Sequence, residues 1–308
     1  MARAKPTSTP QQPAPETFFS HLVWLDGRPL LDTIEPYRQR IFQEALYTFR
    51  DDGAPQYNLV LSGRAKKNWK TTDLILAALY RFIAWHSPHG NDCFLLANDE
   101  GQAADDLGLA KKLVAANPDL SYEIEPRAKE LVRLDGRGTL RILPAQDALG
   151  AHGKTALFIG YDEIHGYRNW DLFEALAPDP TRTDVLQWIT SYDSVHNAPG
   201  APLYDLKTSG QRGTDPRMYF TWYSADHCTD PDFAALDDGE RKANPSMDGW
   251  PDGRAYLDQQ KARLPRHKFR RLHLNLPGLP EGAALAPDAV VDAIVQGRKR
   301  LDPEPDRR

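Results

Sequence analysis

The chain has 308 residues, 41% of them hydrophobic and 26% charged, with a formal net charge of −5. These values exclude a disordered or membrane-embedded protein and suit one large α/β domain with appendages. No run of about 18 apolar residues is present, so no transmembrane helix is expected. The two cysteines, Cys93 and Cys228, stand alone and make neither a zinc site nor a disulfide framework. A mildly acidic balance does not announce nucleic-acid binding, so that question passes to local basic patches.

Residues 1–16 are rich in Pro, Thr and Gln and carry Arg3 and Lys5. They lack the apolar stretch of a secretory signal and read as a disordered tail on a cytoplasmic protein. An amphipathic helical region is expected over 18–50, then a strand over 57–61 and a polar loop, Ser62 to Trp69. Thr71 to Trp85 reads as a helix apolar on most sides, which belongs in a core. A strand over 93–97 holds Cys93 as a small buried thiol. A helix follows over 100–116, stopped by Asn117-Pro118. Further strands are expected at 140–143, 156–161, 185–190 and 218–223, with a helix at 170–176. Strand and helix alternate from 57 to 191, which predicts an α/β fold with a mainly parallel sheet flanked by helices. After about 224 the character changes to turns, one helix near 254–263 and a basic run from Arg263 to Arg271. The expected organisation is a core over 17–225, a small C-terminal lid or linker over 226–290, and a charged tail over 291–308.

Two constellations carry chemistry. The first is strand, polar loop and helix: Leu59-Val60-Leu61-Ser62-Gly63-Arg64-Ala65-Lys66-Lys67-Asn68-Trp69-Lys70-Thr71-Thr72. A phosphate-binding loop needs backbone N–H groups at a helix start, a lysine for the β- and γ-phosphates and an adjacent hydroxyl for Mg²⁺. Lys70 and Thr71 fit the last two roles. Arg64 and Trp69 hold the positions of the two motif glycines, and a basic surface loop before a buried helix is the competing interpretation. Gly153-Lys154-Thr155 has a more familiar ending, but it precedes a strand, whereas a phosphate loop precedes a helix.

The second constellation is Leu157-Phe158-Ile159-Gly160-Tyr161-Asp162-Glu163. Two carboxylates at the end of a buried strand are costly unless they serve a cation or a proton transfer. Asp162 suits Mg²⁺ and Glu163 suits the attacking water. The alternative is an acidic pair capping a helix N-terminus. The order of the two constellations, with a strand-helix unit between them, lets their strands be neighbours facing one nucleotide. Thr190 and Ser191, at the end of the next strand, could sense the γ-phosphate, and a strand end whose hydroxyls cap the next turn fits these residues equally well on their own.

These residues together resemble the large terminase subunits of tailed phages. The resemblance rests on Lys66-Lys67-Asn68-Trp69-Lys70-Thr71-Thr72, Asp162-Glu163-Ile164-His165 and Ile189-Thr190-Ser191. It extends to Lys242-Ala243-Asn244-Pro245-Ser246 and Phe269-Arg270-Arg271-Leu272-His273-Leu274-Asn275-Leu276, and covers roughly residues 30–290. It implies a P-loop NTPase that binds ATP and Mg²⁺ and drives double-stranded DNA into a prohead. Catalysis is then assigned to Glu163, Lys70 and Lys66. Nucleotide contacts are assigned to Arg64, Lys66, Asn68, Trp69, Lys70, Thr71 and Thr72, metal binding to Thr71 and Asp162, and coupling to Thr190 and Ser191. Tyr37 and Gln39 are expected at the adenine. The implied partners are the phage portal protein, a small terminase subunit and further copies of the chain in a ring, in the host cytoplasm with no membrane.

The family pattern usually continues into a metal-dependent nuclease. Asp302, Glu304 and Asp306 lie in a Pro-broken tail, so the expectation is an ATPase without DNA cleavage, from truncation or a split gene. Two rivals are weighed: a degenerate P-loop module that binds DNA or a partner, which Trp69 favours, and a helicase with a D-E-x-H box. The helicase needs a second motor domain that the stretch after Asp162 cannot easily hold. Arg127, Arg133, Arg141 and Arg182 are candidates for an arginine acting on a neighbouring subunit's nucleotide. His165 has no second histidine at ligand spacing and reads as a structural hydrogen-bonder.

Overall fold

The computed structural model describes residues 12–96, 100–143 and 155–278. The strands are β1 (Leu59–Gly63), β2 (Cys93–Leu96), β3 (Ile124–Pro126), β4 (Glu130–Arg133), β5 (Thr139–Ile142), β6 (Phe158–Asp162), β7 (Leu186–Ser191) and β8 (Met218–Trp222). The helices before the centre of the chain are α1 (Pro15–Ser20), α2 (Pro36–Leu46), α3 (Lys70–Leu79), α4 (Glu100–Ala116) and α5 (Pro118–Glu123). Those after it are α6 (Asp171–Ala175), α7 (Pro202–Arg212), α8 (Pro231–Ala234), α9 (Gly239–Ala243), α10 (Arg254–Arg263) and α11 (Arg266–His273). Proline opens α1, α2, α5, α7 and α8, where its missing N–H costs no hydrogen bond and its fixed φ suits a helix start.

The strands form an eight-stranded sheet in the order β3-β4-β5-β2-β6-β7-β1-β8. From β5 to β8 every pairing is parallel, while β3, β4 and β5 pair antiparallel. All residues of β2, β6 and β7 are buried, as a sheet covered on both faces requires. Successive strand residues feed opposite apolar layers. Val60, Phe158 and Trp188 pack with Phe42, Leu74 and Leu107 on one face. Leu61, Ile159 and Ile189 pack with Phe173, Leu203 and Trp222 on the other. The alternation is the period-2 geometry of a strand acting on a two-sided core. Cys93 is buried within the first layer, and burial pushes its thiol up.

The strand expected after Thr155 is β6, while Gly153 and Lys154 lie outside the described residues, as does most of the expected tail and all of 291–308. Residues 12–16 are not loose. Gln12 is buried, Tyr80 Oη donates to the Pro13 carbonyl at 2.7 Å and Pro15 starts α1. The region 18–50 is broken into α1, a 3₁₀ turn at Leu30–Thr33 and α2, with Gly27 at φ 82° in the turn between. One expectation about the sheet is overturned. β1 and β6 are not neighbours, because β7 lies between them and pairs with both. No helix among the described residues is long and apolar enough to cross a membrane.

Candidate active site

Parallel strands bring their C-terminal ends to one edge, and there β1, β6 and β7 each end in polar residues. After β1 the loop turns through Lys67 at φ 72° and Trp69 at φ 60°, both left-handed, and α3 begins at Lys70. No side chain caps that helix start. Its positive end and free N–H groups face outward, which makes an anion site. Lys70 is 5% exposed. Its Nζ donates to the Ala65 carbonyl at 3.1 Å, lies 3.8 Å from Glu163 Oε1 and sits 5.3 Å from the centre of the Tyr192 ring. Burial lowers its affinity for a proton, and Glu163 opposes that only in part.

On β6, the Asp162 carboxylate is 1% exposed and is held from two sides. Thr71 Oγ1 donates to its Oδ2 at 2.8 Å and Thr190 Oγ1 to its Oδ1 at 2.6 Å. Gln102 on α4 adds a longer bond of 3.3 Å to Oδ2. Burial, and after it the charge of Glu163, push the Asp162 carboxyl up. Behind this pair stands Asp106 of α4, pushed up to about 8 by burial and by Asp162, Asp105 and Glu163. A cluster with this surplus of carboxylates fits a divalent cation. No group of three or more metal-ligating side chains exists among the described residues. The cation would therefore take Thr71 and Asp162 from the protein and its other ligands from phosphate and water, the usual manner of Mg²⁺.

Glu163 is left-handed, at φ 56° and ψ 47°, and its N–H donates to the Thr190 carbonyl at 2.9 Å. Burial opposes its ionisation, but Lys70 and His165 outweigh burial and hold its carboxyl below the ordinary glutamate value. It is therefore a carboxylate at neutral pH. Ser191 Oγ accepts the His165 N–H at 3.1 Å, so the end of β7 grips the turn after β6. Thr190 thus touches the acidic pair, and Ser191 the turn that follows it, from the strand that separates them from the loop.

The remaining loop residues act as scaffold. Arg64 is fully buried and points away from the cleft. Its Nη2 donates to Asp73 Oδ2 at 2.6 Å and its Nη1 to Tyr37 Oη at 3.2 Å. Arg38 pairs with the other oxygen of Asp73, also at 2.6 Å. Asn68 is buried too. Its Nδ2 donates to Asn244 Oδ1 at 3.0 Å and its Oδ1 accepts the Ser246 N–H at 3.1 Å. The Ala65 N–H donates to the Ala243 carbonyl at 3.3 Å and the Lys66 N–H to the Leu272 carbonyl at 2.7 Å. The Asn-Pro-Ser turn and the Phe-Arg-Arg segment therefore brace the loop between β1 and α3. Gly63 is needed for packing, since a Cβ there would meet the Trp222 ring at 2.0 Å.

Residues 66–72 and Glu163 line one cleft of about 550 Å³, together with Trp250, Asp252 and Tyr256. Lys66 is exposed at its rim. Trp69 turns its ring outward, edge-on to Trp24 with centroids 6.3 Å apart and under Arg38 at 5.3 Å. Its backbone keeps the conformation a glycine would adopt there. Arg64 is not part of the cleft lining, Asn68 lines the cleft while its side chain is held by Asn244 and Ser246, and Tyr37 is buried, with its hydroxyl 2.7 Å from Ser246 Oγ. Gln39 is exposed on a neighbouring cleft that Trp69 and Thr72 also line, its Nε2 donating to the Ile34 carbonyl at 2.7 Å. Arg182 is buried, its Nη2 donating to Ser87 Oγ and the Gly90 carbonyl, both at 3.0 Å.

Sequence reasoning missed Gln102, Asp106, Tyr192, Trp250 and Tyr256. Gln102 and Asp106 are four apart on α4, a spacing that puts both on one helix face, but nothing in the sequence aims that face at Asp162.

No family model matches the sequence, and no curated protein does. Solved structures do match. The large terminase of bacteriophage HK97 superposes with a TM-score of 0.69 at 20% identity, covering 84% of this chain and 54% of that one. The chain thus spans about half the length of that terminase. The large terminase ATPase domain of Thermus phage P74-26 gives a TM-score of 0.52 at 15% identity, covering 77% of this chain and 96% of that domain. The large terminase of a thermophilic bacteriophage in complex with ADP gives 0.54 at 9% identity, covering 80% of this chain and 54% of that one. The fold of this chain is that of the ATPase region of phage large terminases.

Proposed function

We propose that the chain is the ATP-hydrolysing motor of viral DNA packaging, the ATPase region of a large terminase that drives double-stranded DNA into a prohead. The observation that carries this reading is the meeting of Lys70, Thr71, Asp162, Glu163 and Thr190 at one sheet edge, beside an uncapped helix start. The N–H groups around Trp69 and Lys70 and the ammonium groups of Lys66 and Lys70 hold the β- and γ-phosphates. Glu163 accepts a proton from the attacking water as the water oxygen bonds to the γ-phosphorus and the bond to the bridging oxygen of ADP breaks. Thr71 and Asp162 would hold a Mg²⁺ ion, which when bound would offset the charge of the phosphates. Thr190, bonded to Asp162, and Ser191, bonded to the His165 backbone, carry changes at the phosphate end into β7.

The rest of the assignment follows the same reading: a ring of identical chains in the host cytoplasm, working on double-stranded DNA with a portal protein and a small terminase subunit. An arginine from the adjacent chain would complete the charge stabilisation. A degenerate binding module is disfavoured, because the left-handed backbone at Trp69 retains the turn of the loop and its ring packs on Trp24 and Arg38.

The test is Mg²⁺-dependent ATP hydrolysis by the 308-residue chain, with and without double-stranded DNA. Lys70→Ala and Glu163→Ala should each lose activity by roughly 10²-fold or more, and DNA should stimulate the wild type. A wild type that neither binds nor hydrolyses ATP at high protein concentration would leave the non-enzymatic module as the better account.

A further inference from the structure

Glu163 has different neighbours on its two carboxylate oxygens. Oε1 faces Lys70 Nζ at 3.8 Å, while Oε2 lies 2.9 Å from His165 Nδ1. The ring N–H is not aligned on that oxygen as in a regular hydrogen bond, and contacts of this kind tighten once a reactant is in place. On the other side of the ring, His165 Nε2 is 3.0 Å from the Tyr192 hydroxyl, and the two rings stack with centroids 4.1 Å apart. A carboxylate can only accept, so the nitrogen facing it carries the proton. In the neutral ring Nε2 then accepts from the Tyr192 hydroxyl.

The histidine is fixed at its backbone as well. Its N–H donates to Ser191 Oγ at 3.1 Å and its carbonyl accepts from Ser194 Oγ at 2.5 Å. Tyr192 in turn lies 5.2 Å from the Arg271 guanidinium. Arg271 belongs to α11, next to Leu272, whose carbonyl holds the Lys66 N–H.

We propose that His165 is a positioning residue for Glu163, held by Tyr192 and, through Tyr192, by Arg271. The inference rests on the ATPase reading above. Flanked on both oxygens, the carboxylate keeps one orientation between the lysine and the imidazole. Without the imidazole it is free to swing fully onto Lys70, which ties up the base and the phosphate-binding lysine together. The chain thus links the general base to the same segment that braces the phosphate loop.

The experiment measures kcat, KM and nucleotide affinity for the wild type and for His165→Ala, His165→Asn, His165→Gln and Arg271→Ala. Asn places an amide donor near the position of Nδ1, and Gln places one near Nε2. Misorienting the base should lower kcat of His165→Ala by roughly ten- to hundredfold, with nucleotide affinity unchanged within about twofold. His165→Asn should recover most of that loss and His165→Gln little, while Arg271→Ala should lower kcat less than His165→Ala and leave affinity intact. Unimpaired kcat in His165→Ala overturns the proposal, as does an equal loss in kcat and nucleotide affinity, or Asn performing no better than Gln. Nucleotide affinity serves as the check on folding for every variant. A wild type without ATPase activity overturns the underlying reading instead, which keeps the two failures distinct.

Discussion

Two clefts of nearly equal size lie at opposite edges of the sheet, about 550 Å³ beside Lys70 and about 540 Å³ beside Trp85. The second gathers Tyr47, Phe49, Trp85 and Asp184 before the strands begin, and Gln12, Tyr47 and Asp184 there hold partners within the chain. Gln12 exchanges two hydrogen bonds with the His86 backbone, at 2.9 and 2.8 Å, and Tyr47 Oη donates to the Gln12 carbonyl at 2.9 Å. Asp184 is paired with Arg182 at 3.3 Å. At the Lys70 edge the charges are unbalanced, with Asp162 and Glu163 against one buried lysine, Asp106 behind them, and a helix start without a cap. Volume does not separate the two clefts. Strand polarity does, because it sends the ends of β1, β6 and β7 and the start of α3 to the same place.

The largest effect that would sharpen this contrast lies under the phosphate loop. Asp73 pairs with both Arg38 and Arg64 in a buried cluster, in which Arg38 also holds Glu35 at 2.7 Å. Asp73→Ala leaves the fully buried Arg64 guanidinium without a carboxylate and should cost about 3–5 kcal/mol by denaturant unfolding. A loss below about 1 kcal/mol would mean the cluster does not hold the loop in place.

A smaller effect tests the acidic surplus. The folded-state value of Asp106, about 8, is above its unfolded value, so the folded state retains a proton that the unfolded state has released. Stability from this residue is therefore fully present below the unfolded value and is lost as pH rises toward 8. Asp106→Asn removes that loss, and its gain in melting temperature over the wild type should grow from pH 5 to pH 8 in nucleotide-free protein. An equal shift at both pH values would show that the carboxyl does not carry the surplus.

The smallest effect is expected at Trp69. A left-handed tryptophan costs roughly 1–2 kcal/mol, and Trp69→Gly relieves this while losing the contacts with Trp24 and Arg38. Stability should change by no more than about 1 kcal/mol, the two terms offsetting, and kcat should stay within threefold or so of the wild type. A rise of more than about tenfold in kcat, or 1.4 kcal/mol in the barrier, would show that the ring obstructs the phosphates after all.

The six strands from β5 to β8 in the sheet were legible because each is a short apolar run with polar or turn residues at its ends. β3 and β4 were not, since Glu125, Pro126, Glu130 and Arg133 interrupt them and they lie at the exposed antiparallel edge. Lys70, Thr71, Asp162 and Glu163 could be read from residue type and order. Chain order could not place β7 between β1 and β6, because crossover connections let a later strand insert between two earlier ones. Nor could a basic loop reveal which of its cations turns inward. Arg64 follows directly on the buried end of β1 and meets Asp73, whereas Lys66 comes two residues later, at the rim. Asn244 and Ser246 were legible as a motif, but their role as a brace appears only once Asn68 is seen between them.

The most direct measurement is a structure of the chain with ADP and Mg²⁺. The account predicts phosphates between Lys66 and Thr71 at the start of α3, with the ion on Thr71 and Asp162 and Glu163 facing the γ position. Nucleotide seated in the cleft beside Trp85, or phosphates held away from Lys70, would contradict it.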